Sequence, residues 1–333
     1  MGPCSAESRE QVLDTARQIK ETCGVSSFIF RAGAWKPRTR PDTFQGIGAP
    51  ALAWLQEVKN TLHVPVATEV ATPEHVAAAL SAGIDFLWIG ARTSANPIAV
   101  TEIASQIGDG SLVNGDLKGL LIKNPVNADA KLWLGNIARL EQTGVPVITV
   151  LRGCDHKPCW AMAHQVRTAR PDIPMLLDPS HLSGDARQVP LLLPKVEDLG
   201  LDGIMIEVHN NPAKALSDAK QQISPAELTA ALKDRCAAET SNANETKQTE
   251  LNWLRAEIDE LDERLWDTLA ARMDVSRRIG EWKKTHGVAP LQPERFRQIL
   301  AQRQIWAKEN GFEEEFAERL WNIIHEQSLK QQE

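Results

Sequence analysis

Short apolar runs in the first two-thirds of this chain end, one after another, at a charged or metal-binding side chain. There are seven such runs, and helix-length stretches separate them. The side chains that follow them are Arg31, Glu69, Arg92, Lys123, Arg152, His181 and Glu207. Short apolar runs spaced in this way are typical of parallel strands that are buried on both faces. The pattern predicts alternating strands and helices, with the reactive side chains collected at the carboxyl ends of the strands.

That arrangement is typical of a (β/α)8 TIM barrel, in which the active site lies at the carboxyl ends of the strands. A complete barrel needs an eighth strand, and only seven apolar runs are visible. The missing strand is the first in sequence, because its carboxyl end would coincide with residues 1–4. We therefore expect this strand to be either truncated or weakly formed.

Composition limits the partners that such a chain can have. The 333 residues carry 44 acidic and 37 basic side chains, a net charge of −7, which argues against nucleic acid or an anionic membrane as the main partner. No apolar segment is long enough to span a bilayer. The five scattered cysteines are typical of reduced thiols, and we expect a cytoplasmic protein. The strand-end cations are then expected to bind small anions.

The length predicts about two domains. We predict the barrel at residues 1–236, a polar linker at 237–249 and a helical domain at 250–333. Apolar residues from Leu251 to Trp282 recur at alternating spacings of three and four, which predicts one long helix with a coiled-coil-like seam. Two further helices follow. Three helices of this kind cannot easily bury the seam, so we expect a small all-α domain that forms a homodimer.

Four metal-binding side chains stand where the strands of a closed barrel would bring them together: Cys4, His181, Glu207 and Asp218. A thiolate, an imidazole and two carboxylates suit Mn²⁺, Fe²⁺, Co²⁺ or Zn²⁺ better than Mg²⁺ or Ca²⁺. Any one of them alone could be a capping or packing residue. Cys154 and Cys159, which flank His156, form a competing cluster, but no carboxylate stands in a matching place. We predict that these two are loop thiols.

Six cations belong to the strand ends or to the segment that follows the first apolar run: Arg31, Lys36, Arg38, Arg92, Lys123 and Arg152. They are too many for one carboxylate. Either two phosphorylated substrates or one substrate with both a carboxylate and a phosphate would need them, and arginine binds both groups bidentately.

Five short motifs strengthen this interpretation. They are G-P-C-S at residues 2–5, K-P-R-T at 36–39, I-G-A-R at 89–92, D-P-S-H at 178–181 and I-E-V-H at 206–209. Together they resemble 3-deoxy-D-arabino-heptulosonate 7-phosphate (DAHP) synthases, over about residues 1–235 and closest to the short type I beta branch. Those enzymes condense phosphoenolpyruvate with erythrose 4-phosphate. The octulosonate 8-phosphate synthases are similar, but the intact K-P-R-T motif and Cys4 favour the DAHP branch.

The resemblance implies a role for each of the matching residues. One divalent metal ion, Mn²⁺ first among the candidates, would be bound by Cys4, His181, Glu207 and Asp218. Phosphoenolpyruvate would be bound by Arg31, Lys36, Arg92, Lys123 and Arg152. Erythrose 4-phosphate would be bound by Lys36, Pro37, Arg38 and Thr39. Residues close to the reacting atoms would be Lys36, Glu69 and His181.

The helical region carries its own cationic cluster. Arg272 occupies an apolar seam position between Leu265 and Ile279. A guanidinium at such a position either extends to solvent or meets an anion. The spacings of Arg255, Lys283 and Arg295 allow them to join Arg272 around a small dianion.

This segment resembles the all-helical chorismate mutases, over about residues 250–333. The resemblance implies the rearrangement of chorismate to prephenate without a metal, with Arg272 and Lys283 as catalytic residues. The implied substrate-binding residues are Arg255, Arg272, Lys283, Arg295, Ser328 and Gln332, with Gln331 as an alternative to Gln332. Arg255 would serve the other subunit of a dimer. Phe296 departs from the family pattern, because an acid often follows the arginine at Arg295, and this leaves the contact to the substrate hydroxyl open.

The leading hypothesis is a bifunctional enzyme whose helical domain also mediates feedback on the barrel. The alternative is that this domain is mainly a dimerising sensor of prephenate or chorismate. A single sugar-phosphate aldolase with a structural coiled coil is the least favoured hypothesis. The metal in use, the feedback ligand and any assembly beyond a dimer stay open at this point.

Overall fold

The computed structural model describes residues 1–23, 28–38, 42–108, 117–236, 245–289 and 291–332. The chain divides into two compact units, Met1–Glu257 and Ile258–Glu333. Most of the predicted linker, residues 237–244, lies outside the described residues, as does Thr39.

The first unit contains a parallel sheet of seven strands whose spatial order follows the chain order. The strands are β1 (Phe30–Arg31), β2 (Val66–Val70), β3 (Phe86–Ile89), β4 (Gly119–Lys123), β5 (Val147–Leu151), β6 (Met175–Leu177) and β7 (Gly203–Ile204). Each strand overlaps one of the predicted apolar runs: β3, β5 and β6 lie within theirs, and the other four extend one or two residues beyond. Consecutive parallel strands joined by helices are the repeating unit of the predicted barrel.

Residues 1–5 join the two edges of this sheet. Arg31 N donates a hydrogen bond to Met1 O at 3.0 Å, and Val208 N donates to Gly2 O at 2.9 Å. A Cβ atom on Gly2 would lie 2.1 Å from Arg31 O, so only glycine allows this close approach. The described residues thus contain seven strands where eight were predicted, with the segment 1–5 in the place of the missing one.

Helices cover the outer face of the sheet. They are α1 (Arg9–Thr22), α2 (Pro50–Leu62), α3 (Pro73–Ser81), α4 (Ala91–Ser94), α5 (Pro97–Gly108), α6 (Ala130–Glu141), α7 (Trp160–Ala169), α8 (Pro179–Ser183), α9 (Val189–Leu192), α10 (Lys195–Asp198) and α11 (Pro225–Cys236). Several begin at a side-chain cap: Ser8 accepts from Gln11 N in α1, and Asp129 accepts from Leu132 N in α6.

Alternate residues of the strands pack into two separate cores. Ala67, Trp88, Leu121, Val150 and Met205 form a small cluster on one face, whereas their neighbours in sequence belong to the larger core under the helices. This alternation is expected when the inward-pointing side chains of a curled sheet fill its interior. The interior is therefore packed, and any ligand must bind at an end of the sheet.

Three helices follow: α12 (Glu245–His286), α13 (Pro293–Glu309) and α14 (Glu314–Lys330). The first, with 42 residues, is longer than the thirty or so residues that the seam predicted. Its first turns belong to the first unit, where Trp253 and Ala256 join the larger core. Gly287 and Gly311 follow α12 and α13 with φ of 65° and 77°, a left-handed conformation that glycine favours at helix ends. No helix in the described residues is long and apolar enough to cross a membrane.

Candidate active sites

A cavity opens at the carboxyl end of the sheet, where the sequence predicted a site. Every predicted strand-end residue lies at that end: Arg31 and Lys123 close β1 and β4, Glu69 precedes the last residue of β2, and Arg92, Arg152, His181 and Glu207 follow β3, β5, β6 and β7. The cavity is lined by most of the predicted charged residues, namely Lys36, Arg38, Glu69, Arg92, Lys123, Arg152, His181 and Asp218. Pro37 also lines it.

Three of the four predicted metal ligands meet at one point. Single donor atoms of Cys4, Glu207 and Asp218 all lie within 4.8 Å of one another. The Cys4 thiol donates to Asp218 Oδ2 at 3.0 Å. His181 adjoins this group, with its Nε2 3.7 Å from Glu207 Oε1. The structure thus brings the predicted ligands together, although the imidazole lies outside the tightest cluster.

The electrostatics of this group fit a bound cation. Burial raises the pKa of the Cys4 thiol, and the negative charge of Glu207 raises it further. Burial would also raise the pKa of Glu207, but His181, Arg31 and Lys36 lower it to about 2. A divalent ion between these groups would favour the thiolate and balance the two carboxylates. A thiol, two carboxylates and an imidazole are donors that suit a transition metal.

Asp178 orients the imidazole, and the sequence did not single it out as a site residue. Its Oδ2 lies 2.8 Å from His181 Nδ1, and its Oδ1 accepts from His181 N at 3.0 Å. With Nδ1 held by Asp178, the Nε2 atom of His181 faces Glu207. This arrangement is common around metal-binding histidines. Lys123 Nζ donates to the same carboxylate at 2.7 Å. The place of Asp178 in the D-P-S-H motif was the available signal.

Two glutamines also contact the predicted metal ligands, and sequence reasoning missed them. Gln221 Nε2 donates to Glu207 Oε2 at 2.8 Å, and Gln222 Oε1 accepts from Cys4 N at 2.9 Å. They follow Asp218 in sequence, but nothing in their spacing distinguished them from surface residues. They position two of the donor residues.

Arg31 lies beneath the cavity. Its Nη1 donates to Glu207 Oε1 at 2.8 Å, and its Cζ lies 4.4 Å from the centroid of the Trp88 ring. It is 2% exposed and is not among the described residues that line the cavity. Of the five cations predicted to bind phosphoenolpyruvate, Arg31 is thus paired with a proposed metal ligand below the cavity. Lys36, Arg92, Lys123 and Arg152 line the cavity.

Lys36 lies between Glu69 and the predicted metal ligand Asp218. Its Nζ lies 3.9 Å from Glu69 Oε2 and 4.0 Å from Asp218 Oδ2. Burial would lower the pKa of Lys36, but interactions with the titratable acids around it, Cys4 and Glu69 first among them, raise it. A Cβ on Gly90 would lie 2.1 Å from Glu69 Oε1, so glycine at this position makes room for the Glu69 carboxylate. The ammonium and the carboxylate are thus held side by side.

Lys36, Pro37 and Arg38 of the K-P-R-T motif line one side of the cavity. Arg38 Nη1 donates to Asp218 Oδ1 at 3.0 Å, and Arg92 Nη1 donates to Pro37 O at 3.3 Å. Thr39 lies outside the described residues.

The competing cysteine cluster does not join the metal group. Cys154 donates to Pro125 O and Cys159 to Lys157 O, each at 3.9 Å. His156 lines the cavity, and its Nδ1 lies 3.2 Å from His181 O. Cys4 and Cys23 are free cysteines.

In the second unit, α14 brings polar groups to two cations of α12. Arg272 Nη1 donates to Ser328 Oγ, and Lys283 Nζ donates to Gln332 Oε1 at 3.0 Å. A Cβ on Gly280 would lie 2.6 Å from Gln332 Cα, so this glycine permits the close approach. Gln332, rather than Gln331, therefore provides the contact to Lys283.

Burial lowers the pKa of Lys283; burial and the charge of Arg303 lower that of Arg272. Arg295 is exposed on α13, and Arg255 is exposed on the part of α12 that belongs to the first unit. The structure thus pairs four of the six predicted residues, Arg272 with Ser328 and Lys283 with Gln332. Two cations with lowered pKa values favour an anionic ligand.

Two protein families match different parts of the chain. Residues 1–114 and 141–242 match the DAHP synthetase I family, and residues 254–333 match chorismate mutase type II. The phospho-2-dehydro-3-deoxyheptonate aldolase of Thermotoga maritima is 31% identical over 236 residues, 67% of this chain and 64% of that protein. Its crystal structure superposes with a TM-score of 0.60 and 29% identity, over 71% of this chain and 68% of that one.

Two other relatives resemble one part each. The 4-amino-4-deoxychorismate mutase of Streptomyces venezuelae is 39% identical over 79 residues, 24% of this chain and 77% of that protein. The 2-dehydro-3-deoxyphosphooctonate aldolase of Azoarcus sp. is 29% identical over 245 residues, 65% of this chain and 81% of that protein. The chain spans a little less than two-thirds of the Thermotoga aldolase.

Proposed function

The chain belongs to the DAHP synthetase I family and carries a C-terminal chorismate mutase type II domain, and we propose that it catalyses both of the corresponding reactions. The single observation that carries the first activity is the meeting of Cys4, Glu207 and Asp218 beside a cavity lined with cations. The domain limits that we propose are residues 1–236, a linker at 237–249, and 250–333.

In the barrel unit, the proposed reaction condenses phosphoenolpyruvate with erythrose 4-phosphate to give DAHP and phosphate. We propose one divalent transition metal ion, with Mn²⁺ first and Fe²⁺, Co²⁺ or Zn²⁺ as alternatives, held by Cys4, His181, Glu207 and Asp218. When bound, it would polarise the sugar aldehyde as a Lewis acid. We also propose that the seven strands and residues 1–5 together represent a (β/α)8 barrel.

Other residues of the chain would bind the two substrates and activate the water. Arg92, Lys123 and Arg152 line the cavity and would bind the phosphate and carboxylate of phosphoenolpyruvate. Lys36, Pro37, Arg38 and Thr39 would hold erythrose 4-phosphate. Glu69, held close to the Lys36 ammonium, would orient or deprotonate the water that adds to the cationic intermediate before phosphate leaves. Arg31 would act indirectly, because its ion pair with Glu207 fixes the position of that carboxylate.

A related condensation is the second candidate, because the Azoarcus relative is named for an eight-carbon product. Three carbons of such a product come from phosphoenolpyruvate, so the other substrate would be a five-carbon aldose phosphate. The K-P-R-T segment and Cys4 favour the four-carbon sugar.

In the second unit, the proposed reaction converts chorismate to prephenate. It needs positioning and charge stabilisation but no covalent step. Arg272 would bind a carboxylate, and Lys283 with Gln332 would donate to the ether oxygen as negative charge grows there. Arg295 and Ser328 would make further contacts to the substrate from the same domain. The name of the Streptomyces relative raises 4-amino-4-deoxychorismate as an alternative substrate.

We further propose a homodimer that forms through the seam of α12. Its apolar side chains are exposed in the single chain, namely Leu251, Leu254, Ile258, Leu261, Leu265, Val275, Ile279 and Trp282. Exposed apolar side chains that recur along one helix in this way indicate a partner. A second copy would cover the seam and supply Arg255 to its mutase site. Prephenate or chorismate bound there would inhibit the barrel; a helical domain that only senses these ligands is the alternative. We place the enzyme in the cytoplasm.

Paired assays on the full chain test the proposal. One follows DAHP formation with erythrose 4-phosphate and with a five-carbon aldose phosphate, and the other follows loss of chorismate. We expect both activities, with the four-carbon sugar preferred. A chain that binds prephenate but does not convert chorismate would support the sensor alternative, and a preference for the five-carbon sugar would overturn the DAHP assignment.

A further inference from the structure

Phe296 of α13 and His325 of α14 form a stacked pair in the second unit, with ring centroids 4.1 Å apart. Within the described part of the chain, His325 Nε2 is buried and has no hydrogen-bond partner. A buried polar atom without a partner is unfavourable, and most folded proteins satisfy such atoms with protein, water or ligand. A group bound beside this ring could therefore supply the missing partner.

The imidazole belongs to the same surface as the proposed mutase residues. His325 and Ser328 are three residues apart and share one face of α14, and Gln332 continues this face just past the end of the helix. Because Ser328 contacts Arg272 and Gln332 contacts Lys283, this face points toward the cations of α12. Burial lowers the pKa of His325, and the charges of Arg272 and Lys283 lower it further. The ring is thus neutral at neutral pH, with one nitrogen that donates and one that accepts.

Chorismate carries two carboxylates, an ether oxygen and a ring hydroxyl. In the proposed site the carboxylates face arginines, and the ether oxygen faces Lys283 and Gln332. The hydroxyl is left without a partner, because Phe296 stands where an acid often follows the arginine at Arg295. One polar group of the substrate and one polar atom of the protein thus lack partners, and the protein atom belongs to a ring stacked on Phe296.

We propose that His325 Nε2 binds the ring hydroxyl of chorismate and selects substrates that carry a hydroxyl at this position. The inference rests on the mutase activity proposed above. A hydroxyl both donates and accepts, so it can pair with either tautomer of a neutral imidazole. An amine at the same ring position would be protonated. Arg272 and Lys283 would repel that second cation, and Phe296 offers it no carboxylate.

The test uses the full chain and measures kcat and KM for chorismate, for the analogue that lacks the hydroxyl, and for the analogue with an amine in its place. His325→Leu removes the polar atom, His325→Gln retains one, and Gln327→Leu is a matched change at an exposed position of α14. For the wild type we expect kcat/KM to fall about tenfold on the deoxy analogue, a typical effect of one hydrogen bond, and to be lower on the amine.

His325→Leu should lose about tenfold on chorismate and no longer distinguish it from the deoxy analogue, since the two changes remove the same hydrogen bond. His325→Gln should recover part of the discrimination, and Gln327→Leu should behave as the wild type. An equal loss on both substrates would indicate a structural role and overturn the inference. If His325→Leu fails to fold, equal turnover of chorismate and its deoxy analogue by the wild type overturns it.

Failure of the mutase proposal is distinguishable from failure of this inference. A wild type without mutase activity, or full mutase activity in Arg272→Ala, would contradict both the mutase proposal and the hydroxyl contact. A large loss in Arg272→Ala together with unchanged kinetics in His325→Leu sinks the hydroxyl contact alone.

Discussion

The pKa values of the cations are shifted in opposite directions in the two proposed sites of this chain. In the barrel site, carboxylates surround the cations, and the pKa values of Lys36 and Arg38 are raised above their usual range despite burial. In the helical site, burial lowers the pKa values of Arg272 and Lys283. In the first site Lys36 and Arg38 are paired with carboxylates, whereas the second has two cations that would gain from a dianion.

This difference indicates what each site requires. A cluster of a thiol and carboxylates that already contains Lys36 and Arg31 can accept a metal ion and still present cations to phosphorylated substrates. Positioning a dianion needs no metal, only cations whose desolvation the ligand offsets. When no feedback ligand is bound, changes to the residues of one site should therefore leave the chemistry of the other intact.

The largest expected effect is that of Arg272→Ala, which removes a guanidinium proposed to bind substrate. We expect mutase kcat/KM to fall by about a hundredfold or more, the size found for a lost charge-stabilising donor. DAHP formation should be unchanged, because the barrel site does not include this residue. Arg277→Ala is the control: Arg277 is an exposed arginine of the same helix that pairs with Asp274 and Glu281. Equal losses in the two variants would contradict the site assignment.

Glu207→Gln should break the balance of the barrel site. It removes a proposed metal ligand and the partner of buried Arg31, so we expect loss of DAHP formation and about 3 kcal/mol less stability. Thermal unfolding measures the second effect. Glu141→Gln removes a partner of Arg170 at the surface and should cost less than about 1 kcal/mol. Similar losses from both variants would show that the buried pair has no special role.

Gly90→Ala tests the placement of Glu69. The new Cβ would lie 2.1 Å from Glu69 Oε1, so the carboxylate must move away from Lys36. Misplacing a catalytic group costs on the order of tenfold to a hundredfold in rate, and we expect kcat for DAHP formation to fall within this range with the mutase unaffected. Gly108→Ala, where the added Cβ meets nothing within 4 Å, is the control. Normal DAHP formation in Gly90→Ala would remove Glu69 from the mechanism.

The pH dependence of the two activities should differ, and this is the smallest of the expected effects. Because the pKa of Lys283 is lowered, its ammonium is lost at a lower pH than that of an ordinary lysine. Mutase kcat/KM should then fall as pH rises through this lowered pKa. Lys36 has a raised pKa and should keep its charge over the same range, so DAHP formation should show no such limb from this residue. Alkaline limbs at the same pH for both activities would contradict the contrast.

The sequence predicted the strand ends well, because buried strands and their terminal charges leave a periodic pattern. It could not show how distant residues pair. Arg31 and Glu207 are 176 residues apart and meet only in the folded sheet, so Arg31 was predicted to contact a substrate rather than a proposed metal ligand. Gln221 and Gln222 were missed for the same reason.

The helical region shows a similar limit. The seam predicted the long helix, but the pattern did not reveal that the helix reaches 42 residues or that Trp253 packs into the core of the first unit. Those features depend on tertiary contacts with the first unit. The stacking of Phe296 on His325 likewise joins two helices and leaves no trace in the spacing of either.

Chelation tests the central claim most directly. The full chain is treated with EDTA, both activities are measured in the same sample, and Mn²⁺ is then restored. We expect DAHP formation to disappear and to return with the metal, while the conversion of chorismate to prephenate continues at its original rate throughout. DAHP formation that survives chelation would contradict the metal site at Cys4, His181, Glu207 and Asp218, and mutase activity lost with the metal would contradict the independence of the two sites.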